Sequence, residues 1–202
     1  MTHRSVKFVE ASLADASRTV RGGGLIVYPT DTVYGLGCDP TSEAAVGRLF
    51  TAKRREAKPI PLMCDSLETA SKLVSLSPVA ADLARRFWPG ALTIVAPLEA
   101  RLPFPIHQGS GTLGVRVPGS PLCRELVEMC GGVLTGTSAN LSGTGPCRSA
   151  DEAERALGSA VDVILDGGVL TSPESTVVRV TGARIEVLRQ GAVRVKEKVG
   201  RR

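Results

Sequence analysis

Short apolar runs alternate along the chain with longer segments whose apolar residues recur at the spacing of a helix. The run at residues 25–28 is continuous and predicts a short strand that is buried on both faces. Comparable runs predict further strands at 91–96, 113–117, 132–136 and 161–165. Near the end of the chain, residues 175–180 and 184–189 flank a Thr-Gly-Ala turn, and we expect them to form a hairpin.

Helices are predicted between these strands, where a polar cap precedes an apolar stripe of helical period. One stripe runs through residues 41–53, and a second helix starts at Asp65 and Glu68, which have the spacing of a capping box. Serine followed by proline opens two more helices, at residues 77–78 and 120–121. Strands that alternate with helices of about ten residues predict one α/β domain, residues 1–202, with a mixed sheet.

Composition supports this fold class and excludes several others. The chain has only four Phe, two Tyr and one Trp, so its core must be built from Val, Leu, Ile and Ala, as in sheets that helices cover. Five cysteines without a CxxC pair and only two histidines argue against a zinc site and favour reduced thiols. Residues 1–17 lack a signal-peptide core and no apolar run approaches ~20 residues, so we expect a cytoplasmic protein without membrane contact.

Two glycine-rich segments mimic nucleotide-binding motifs without their context. Residues 109–114 match GxGxxG, but a strand pattern follows them where the dinucleotide fingerprint needs a helix. Residues 131–138 approach the P-loop pattern, but Thr137 stands where the phosphate-binding lysine belongs. We therefore expect neither segment to act as a dinucleotide fingerprint or as a P-loop, so that any ATP is bound without a Walker loop.

Polar residues concentrate where the predicted strands end. Thr30, Asp31 and Thr32 follow the first strand, either as ligand contacts or as a turn with side-chain caps. Arg116 shares one strand face with Gly114, and its guanidinium suits a carboxylate, a phosphate or a structural salt bridge. These residues are candidates for an anion site.

Three later segments extend the same pattern. Lys53, Arg54, Arg55 and Lys58 form a basic run at a helix end, which is either a solvated charge run or part of a site. Loop 135–146, rich in hydroxyls and glycine, follows a buried strand, and Ser175 and Arg189 lie at the ends of the hairpin strands. Several cations and hydroxyls, without histidine or paired carboxylates, indicate charge stabilisation of the kind used in phosphoryl or nucleotidyl transfer. The net charge of +5 suits anionic partners without selecting one.

A family resemblance rests on motifs that occur in family order over about residues 20–192. They are PTDTVYGLG, KRR, KPIPL, FWPGALT, GVRVP, TSANLSG, DGG with ESTVV, and RQG. The chain resembles the YrdC-like L-threonylcarbamoyladenylate synthases in their short, single-domain form. The resemblance implies a twisted open α/β fold with a deep, positively charged cleft. It also implies a reaction of L-threonine, bicarbonate and ATP, with Mg²⁺, that yields threonylcarbamoyl-adenylate and pyrophosphate.

The resemblance also implies roles for residues and partners. Threonine is expected at Thr30, Thr32, Arg116, Gly136 and Ser175, and ATP at Lys53, Arg55, Thr112, Ser138, Pro146 and Arg189. The signature set with catalytic roles is Lys53, Arg55, Ser138 and Asn140, and no metal ligand is assigned. A separate transferase complex is expected to pass the threonylcarbamoyl group to tRNA, which this chain is itself expected to bind.

The chain departs from the family at Glu56, where relatives carry proline, so the second basic role belongs to Arg54 or Arg55. Two alternatives stay open. One is a double-stranded RNA or tRNA-binding or ribosome-maturation module without catalysis. The other is an enzyme that makes carbamoyl-adenylate from carbamoyl phosphate.

Overall fold

The computed structural model describes residues 11–54 and 58–198, together with the backbone of residues 7 and 8. The helices are α1 Leu13–Arg21, α2 Glu43–Lys53, α3 Leu67–Leu73, α4 Pro78–Phe87, α5 Phe104–His107, α6 Pro121–Met129 and α7 Ala150–Leu157, followed by a 3-10 turn at Gly158–Ala160. The strands are β1 Lys7–Phe8, β2 Ile26–Tyr28, β3 Gly35–Gly37, β4 Leu62–Cys64, β5 Leu92–Pro97, β6 Thr112–Arg116, β7 Val133–Thr135, β8 Thr137–Ser138, β9 Val163–Ile164, β10 Thr176–Thr181 and β11 Arg184–Arg189.

The strands form two mixed sheets. Their orders are β1-β9-β2-β3-β8 and β11-β10-β5-β6-β4-β7. The α/β class, the mixed pairing and the β10–β11 hairpin are as predicted, but the strands divide between two sheets where we expected one. The chain crosses from the second sheet to the first at Gly136, between β7 and β8. A Cβ there would lie 3.0 Å from the Met63 side chain and 3.3 Å from the Pro61 carbonyl oxygen, so the crossing is closely packed at this glycine.

Tyr28 links the two sheets by a hydrogen bond from its side chain. It lies on β2 of the first sheet, is fully buried, and donates a hydrogen bond of 2.8 Å to the carbonyl of Thr135 on β7 of the second. Its ring covers Gly35 and Gly37 of β3, where a Cβ would approach the ring to within 2.7 and 2.8 Å. Because Gly35 and Gly37 have no side chains, the ring of Tyr28 can pack directly against the backbone of β3.

Serine caps begin most of the helices. Ser77 with Pro78 and Ser120 with Pro121 open α4 and α6 as predicted. The capping box expected at Asp65 is wrong, because the N-cap of α3 is Ser66, whose hydroxyl accepts from the backbone N–H of Thr69 at 3.1 Å. Asp65 precedes the cap, and its backbone N–H pairs with the carbonyl of Gly132.

The two decoy motifs lie in strands and turns, as expected. Residues 109–114 contain two left-handed glycine turns and then enter β6. Residues 131–138 contain β7 and β8. The larger core cluster joins both sheets to α2, α3, α4 and α7, and is built mostly from Val, Leu, Ile and Ala. Within residues 11–54 and 58–198, every helix is too short or too polar to cross a bilayer.

Candidate functional site

A cavity of about 480 Å³ is lined by strands of both sheets. We call it the main cavity. Eight of the residues expected from the sequence line it, from five separate segments of the chain: Thr30, Thr32, Thr112, Arg116, Gly136, Ser138, Ser175 and Arg189. Thr30 and Ser175, which are far apart along the sequence, thus face one space.

A second space of about 410 Å³, the basic hollow, shares Ser138 with the main cavity. It is lined by Lys53, Arg54, Lys58, Ser138, Asn140, Ser142 and Gly143. The signature residues Lys53 and Asn140 therefore reach the site through this hollow. Pro146 is half-buried and lines neither space, and Arg55 lies outside the described residues. Arg54 is exposed in a left-handed C-cap conformation at the end of α2, with φ of 48°.

Arg116 is buried and held on three sides. Its Nε donates to the carbonyl of Gly90 at 2.9 Å, Nη1 donates to the Thr32 hydroxyl at 3.1 Å, and Nη2 lies 2.5 Å from Asp31 Oδ1. The side chain is 3% exposed and shares the cavity face of β6 with Gly114, while Val115 enters the core. The salt bridge considered from the sequence thus exists, and the same arginine lines the cavity.

Thr30 both caps its own turn and borders the cavity. Its hydroxyl oxygen accepts from the backbone N–H groups of Thr32 and Val33, at 3.0 and 3.2 Å, and its proton goes to the carbonyl of Val33 at 2.7 Å. Thr32 Oγ1 lies 3.1 Å from Thr30 Oγ1. The turn-cap interpretation is therefore correct for this hydroxyl, and the turn is what presents both threonines to the cavity.

Arg189 also lines the cavity, where it binds the segment that precedes β10 through hydrogen bonds and an ion pair. Its Nη1 pairs with Glu174 at 2.6 Å, its Nε donates to the carbonyl of Ser175 at 3.1 Å, and its Nη2 donates to the Ser175 hydroxyl at 3.1 Å. That hydroxyl lies 3.1 Å from Thr93 Oγ1. Thr93 was not among the expected site residues, although a polar residue inside the apolar run 91–96 was a signal for it.

Lys53 stabilises the loop that follows β8 through hydrogen bonds to its backbone carbonyls. It is 2% exposed, so a solvated charge run is the wrong description of this residue. Its ammonium donates to the backbone carbonyls of Ser138 and Asn140, the latter at 2.7 Å, and its own carbonyl accepts from the N–H of Ser142. Ser138 donates to Asn140 Oδ1, and Asn140 Nδ2 donates to the carbonyl of Thr144. The loop is therefore a closed hydrogen-bonded unit around one ammonium group.

Tyr34 forms part of the cavity wall as a neutral phenol. Burial raises its pKa to about 12, and its hydroxyl donates to the carbonyl of Gly168 while accepting from the N–H of Gly167. This contact holds the DGG segment, residues 166–168, against the turn that carries Thr30; a Cβ at Gly167 would lie 2.5 Å from Pro29. Within the described part of the chain, His, Cys, Asp and Glu form no group of three that could hold a metal.

Comparison with known proteins gives this site a family. The model of the Sua5, YciO and YrdC family, described as telomere recombination, matches residues 18–191. The chain belongs to the Sua5/YciO/YrdC family. A threonylcarbamoyl-AMP synthase of Halorhodospira halophila is 38% identical over 154 residues, which are 75% of this chain and 81% of that protein.

Solved structures of the Sua5/YciO/YrdC family have the same fold. Escherichia coli YciO is 32% identical, with a TM-score of 0.83 and 91% of both chains covered. Pyrococcus abyssi Sua5 in complex with L-threonine is 34% identical, with a TM-score of 0.84 over 91% of this chain. This chain spans 56% of the Pyrococcus protein, so the match concerns about half of that protein.

Proposed function

We propose that this member of the Sua5/YciO/YrdC family is an L-threonylcarbamoyladenylate synthase. It joins L-threonine, bicarbonate and ATP into threonylcarbamoyl-adenylate, with release of pyrophosphate and water. The observation that carries the proposal is the convergence of Arg116, Arg189 and a set of hydroxyls on the main cavity, which shares Ser138 with the basic hollow. The resemblance to a threonylcarbamoyl-AMP synthase at 38% identity supports it.

Arg116 is the proposed partner of the threonine carboxylate. A guanidinium has five N–H groups, two of them on each terminal nitrogen. Among the described residues, Gly90, Thr32 and Asp31 take one N–H each, from Nε, Nη1 and Nη2. One N–H on each terminal nitrogen is then left to donate to a carboxylate, a group that a guanidinium binds well. We propose that Thr30, Thr32, Gly136 and Ser175 surround the rest of the amino acid.

The phosphates of ATP are proposed to lie toward the basic hollow. Ser138, Thr112 and Arg189 border the main cavity, Ser138 also borders the hollow, and Lys53 and Asn140 line the hollow and shape its loop. In the proposed reaction the carboxylate of N-carboxythreonine attacks the α-phosphorus, the bond to the β-phosphate oxygen breaks, and pyrophosphate leaves. The residues supply positive charge and alignment, and none of them is a nucleophile. Pro146, and Arg54 or Arg55, complete this half of the proposal.

Magnesium is proposed to enter with ATP. Mg²⁺ at phosphate sites uses one or two carboxylates together with phosphate oxygens and water. Asp31 and Glu174 are already paired with Arg116 and Arg189, and Glu186 with Arg179, and all three arginines line the main cavity. The residues present therefore fit a magnesium ion that the substrate phosphates hold, more than one bound by protein ligands alone.

The product is a mixed anhydride, which has to reach an acceptor before water hydrolyses it. We propose that a separate transferase complex passes the threonylcarbamoyl group to the adenosine beside the anticodon of tRNA, in the cytoplasm. A net charge of +5 is compatible with a direct contact between this chain and tRNA.

The test is release of pyrophosphate by the purified protein. We expect release that requires ATP, threonine and bicarbonate together and that is lost in Lys53→Ala. Turnover without threonine would refute the synthase. Salt-sensitive tRNA binding without adenylate formation would favour the RNA-binding alternative.

A further inference from the structure

Two buried hydroxyls form a pair on the wall of the main cavity. Thr93 lies on β5 and is 5% exposed, and Ser175 immediately precedes β10 and is 6% exposed. Parallel pairing of β5 with β10 sets Thr93 beside Val177, two residues after Ser175. The Thr93 and Ser175 hydroxyl oxygens lie 3.1 Å apart. Both side chains border the cavity.

Of the hydrogen bonds made by the Ser175 hydroxyl, the one with Arg189 has a fixed donor and the one with Thr93 does not. Arg189 can only donate, so the Ser175 oxygen is an acceptor toward it. The hydrogen bond between Ser175 and Thr93 permits either hydroxyl to be the donor. If Ser175 donates to Thr93, the Ser175 proton is occupied in that hydrogen bond. If Thr93 donates to Ser175, the Ser175 O–H is available to a ligand in the cavity. Among the described residues, Thr93 Oγ1 has no other hydrogen-bond partner.

Arg116 starts a second chain of hydroxyls on the same cavity, and there the neighbouring hydroxyl is committed elsewhere. Arg116 donates to Thr32, and Thr30 has already given its proton to the carbonyl of Val33. Thr30 therefore cannot be the donor in its contact with Thr32. In the Thr93 and Ser175 pair, by contrast, the neighbouring hydroxyl can be the donor, and the Ser175 proton is then available to a ligand.

We propose that Thr93 is a positioning residue for threonine: by donating to the Ser175 oxygen, it turns the Ser175 proton toward an oxygen of bound L-threonine. This inference rests on the proposed function for the identity of the ligand. Gly114 on β6 leaves the room that Thr93 needs, since a Cβ there would lie 3.3 Å from the Thr93 methyl group. Thr93 acts through Ser175 and is not a catalytic residue.

A matched pair of substitutions separates the hydroxyl of Thr93 from its shape. Thr93→Val keeps the volume and removes the donor, whereas Thr93→Ser keeps the donor and removes the methyl group. Because one net hydrogen bond corresponds to about a 2- to 12-fold change in a binding constant, we expect Thr93→Val to raise the Kd and KM for threonine by that factor. The KM for ATP should change less than about 2-fold, and Thr93→Ser should retain near-normal threonine affinity.

A double-mutant cycle tests the route through Ser175. In a Ser175→Ala background, Thr93→Val should change the threonine Kd, measured by calorimetry, by less than about 2-fold. Additive effects, or equal losses in Thr93→Ser and Thr93→Val, would overturn the inference. A wild-type protein that binds threonine but forms no adenylate would refute the proposed function, and the cycle would still decide the role of Thr93. A wild-type protein that does not bind threonine would overturn both.

Discussion

Replacing Asp31 by alanine removes the counter-charge of the buried guanidinium of Arg116. The ion pair is 2.5 Å long, and the arginine side chain is 3% exposed while the aspartate side chain is 20% exposed. The Gly90 carbonyl and the Thr32 hydroxyl remain in the variant, but neither carries a full negative charge. Asp31→Ala therefore leaves a buried cation with only neutral partners.

The expected loss of stability follows from this geometry. Removing one partner of a fully buried ion pair costs about 3–5 kcal/mol. Because the Asp31 side is partly open to water, which can replace the carboxylate, we expect a smaller loss of about 2–3 kcal/mol in the free energy of unfolding. For a protein of this length, about 2–4 °C per kcal/mol, this corresponds to a Tm lower by about 4–12 °C.

Urea unfolding at neutral pH, with thermal unfolding as a second probe, measures the loss. The matched control is Asp82→Ala, which breaks an Asp–Arg pair of 2.7 Å on α4 whose side chains are 78% and 65% exposed. Such an exposed pair contributes less than about 1 kcal/mol. Equal losses in the two variants would refute the claim that Asp31 stabilises a buried cation. If threonine affinity were also unchanged in Asp31→Ala, the fixed geometry of Arg116 would have no role in binding.

Three further outcomes are expected. Lys53→Met removes the ammonium that holds the carbonyls of the 138–142 loop; threonine-dependent pyrophosphate release should fall by about 100-fold or more with native circular dichroism retained, and unimpaired turnover would contradict this. Thr30→Val should raise the KM for threonine more than that for ATP in steady-state kinetics, and equal changes would argue against a threonine subsite at this turn. Burial raises the pKa of Cys38 to about 11 and those of Cys64 and Cys123 to about 12, from 9.0. These thiols lose their protons at lower pH in the unfolded chain than in the folded one. The free energy of unfolding, measured in urea, should therefore be unaffected below pH 9 and fall by about 1.4 kcal/mol per pH unit per thiol as the pH rises from 9 toward 11–12. A free energy of unfolding that stays constant from pH 8 to 10.5 would contradict this expectation.

The sequence predicts those elements whose pattern is local. Apolar runs identify β2, β5, β6, β7 and β9, and a glycine turn identifies the hairpin of β10 and β11. The division into two sheets was not predictable in this way. It depends on β3 and β8, which are three and two residues long, and on the crossing at Gly136, which packs closely against Met63 from a different strand.

The candidate site shows the same limit. The strand pattern of Gly114 and Arg116 correctly predicts an arginine on an open face, because alternation along a strand is a local property. The partners of that arginine, Asp31 and Thr32, come from a distant turn, and only the fold brings them together. Thr93 was missed for a related reason: a single threonine in an apolar strand has no meaning until the partner strand places Ser175 beside it.

The most direct test of the central claim is mass spectrometry of the nucleotide product. Purified protein is incubated with ATP, Mg²⁺, L-threonine and bicarbonate labelled with carbon-13. We expect threonylcarbamoyl-adenylate that carries one labelled carbon and forms only when threonine is present. Pyrophosphate release without this species, or carbamoyl-adenylate made only when carbamoyl phosphate is supplied, would contradict it.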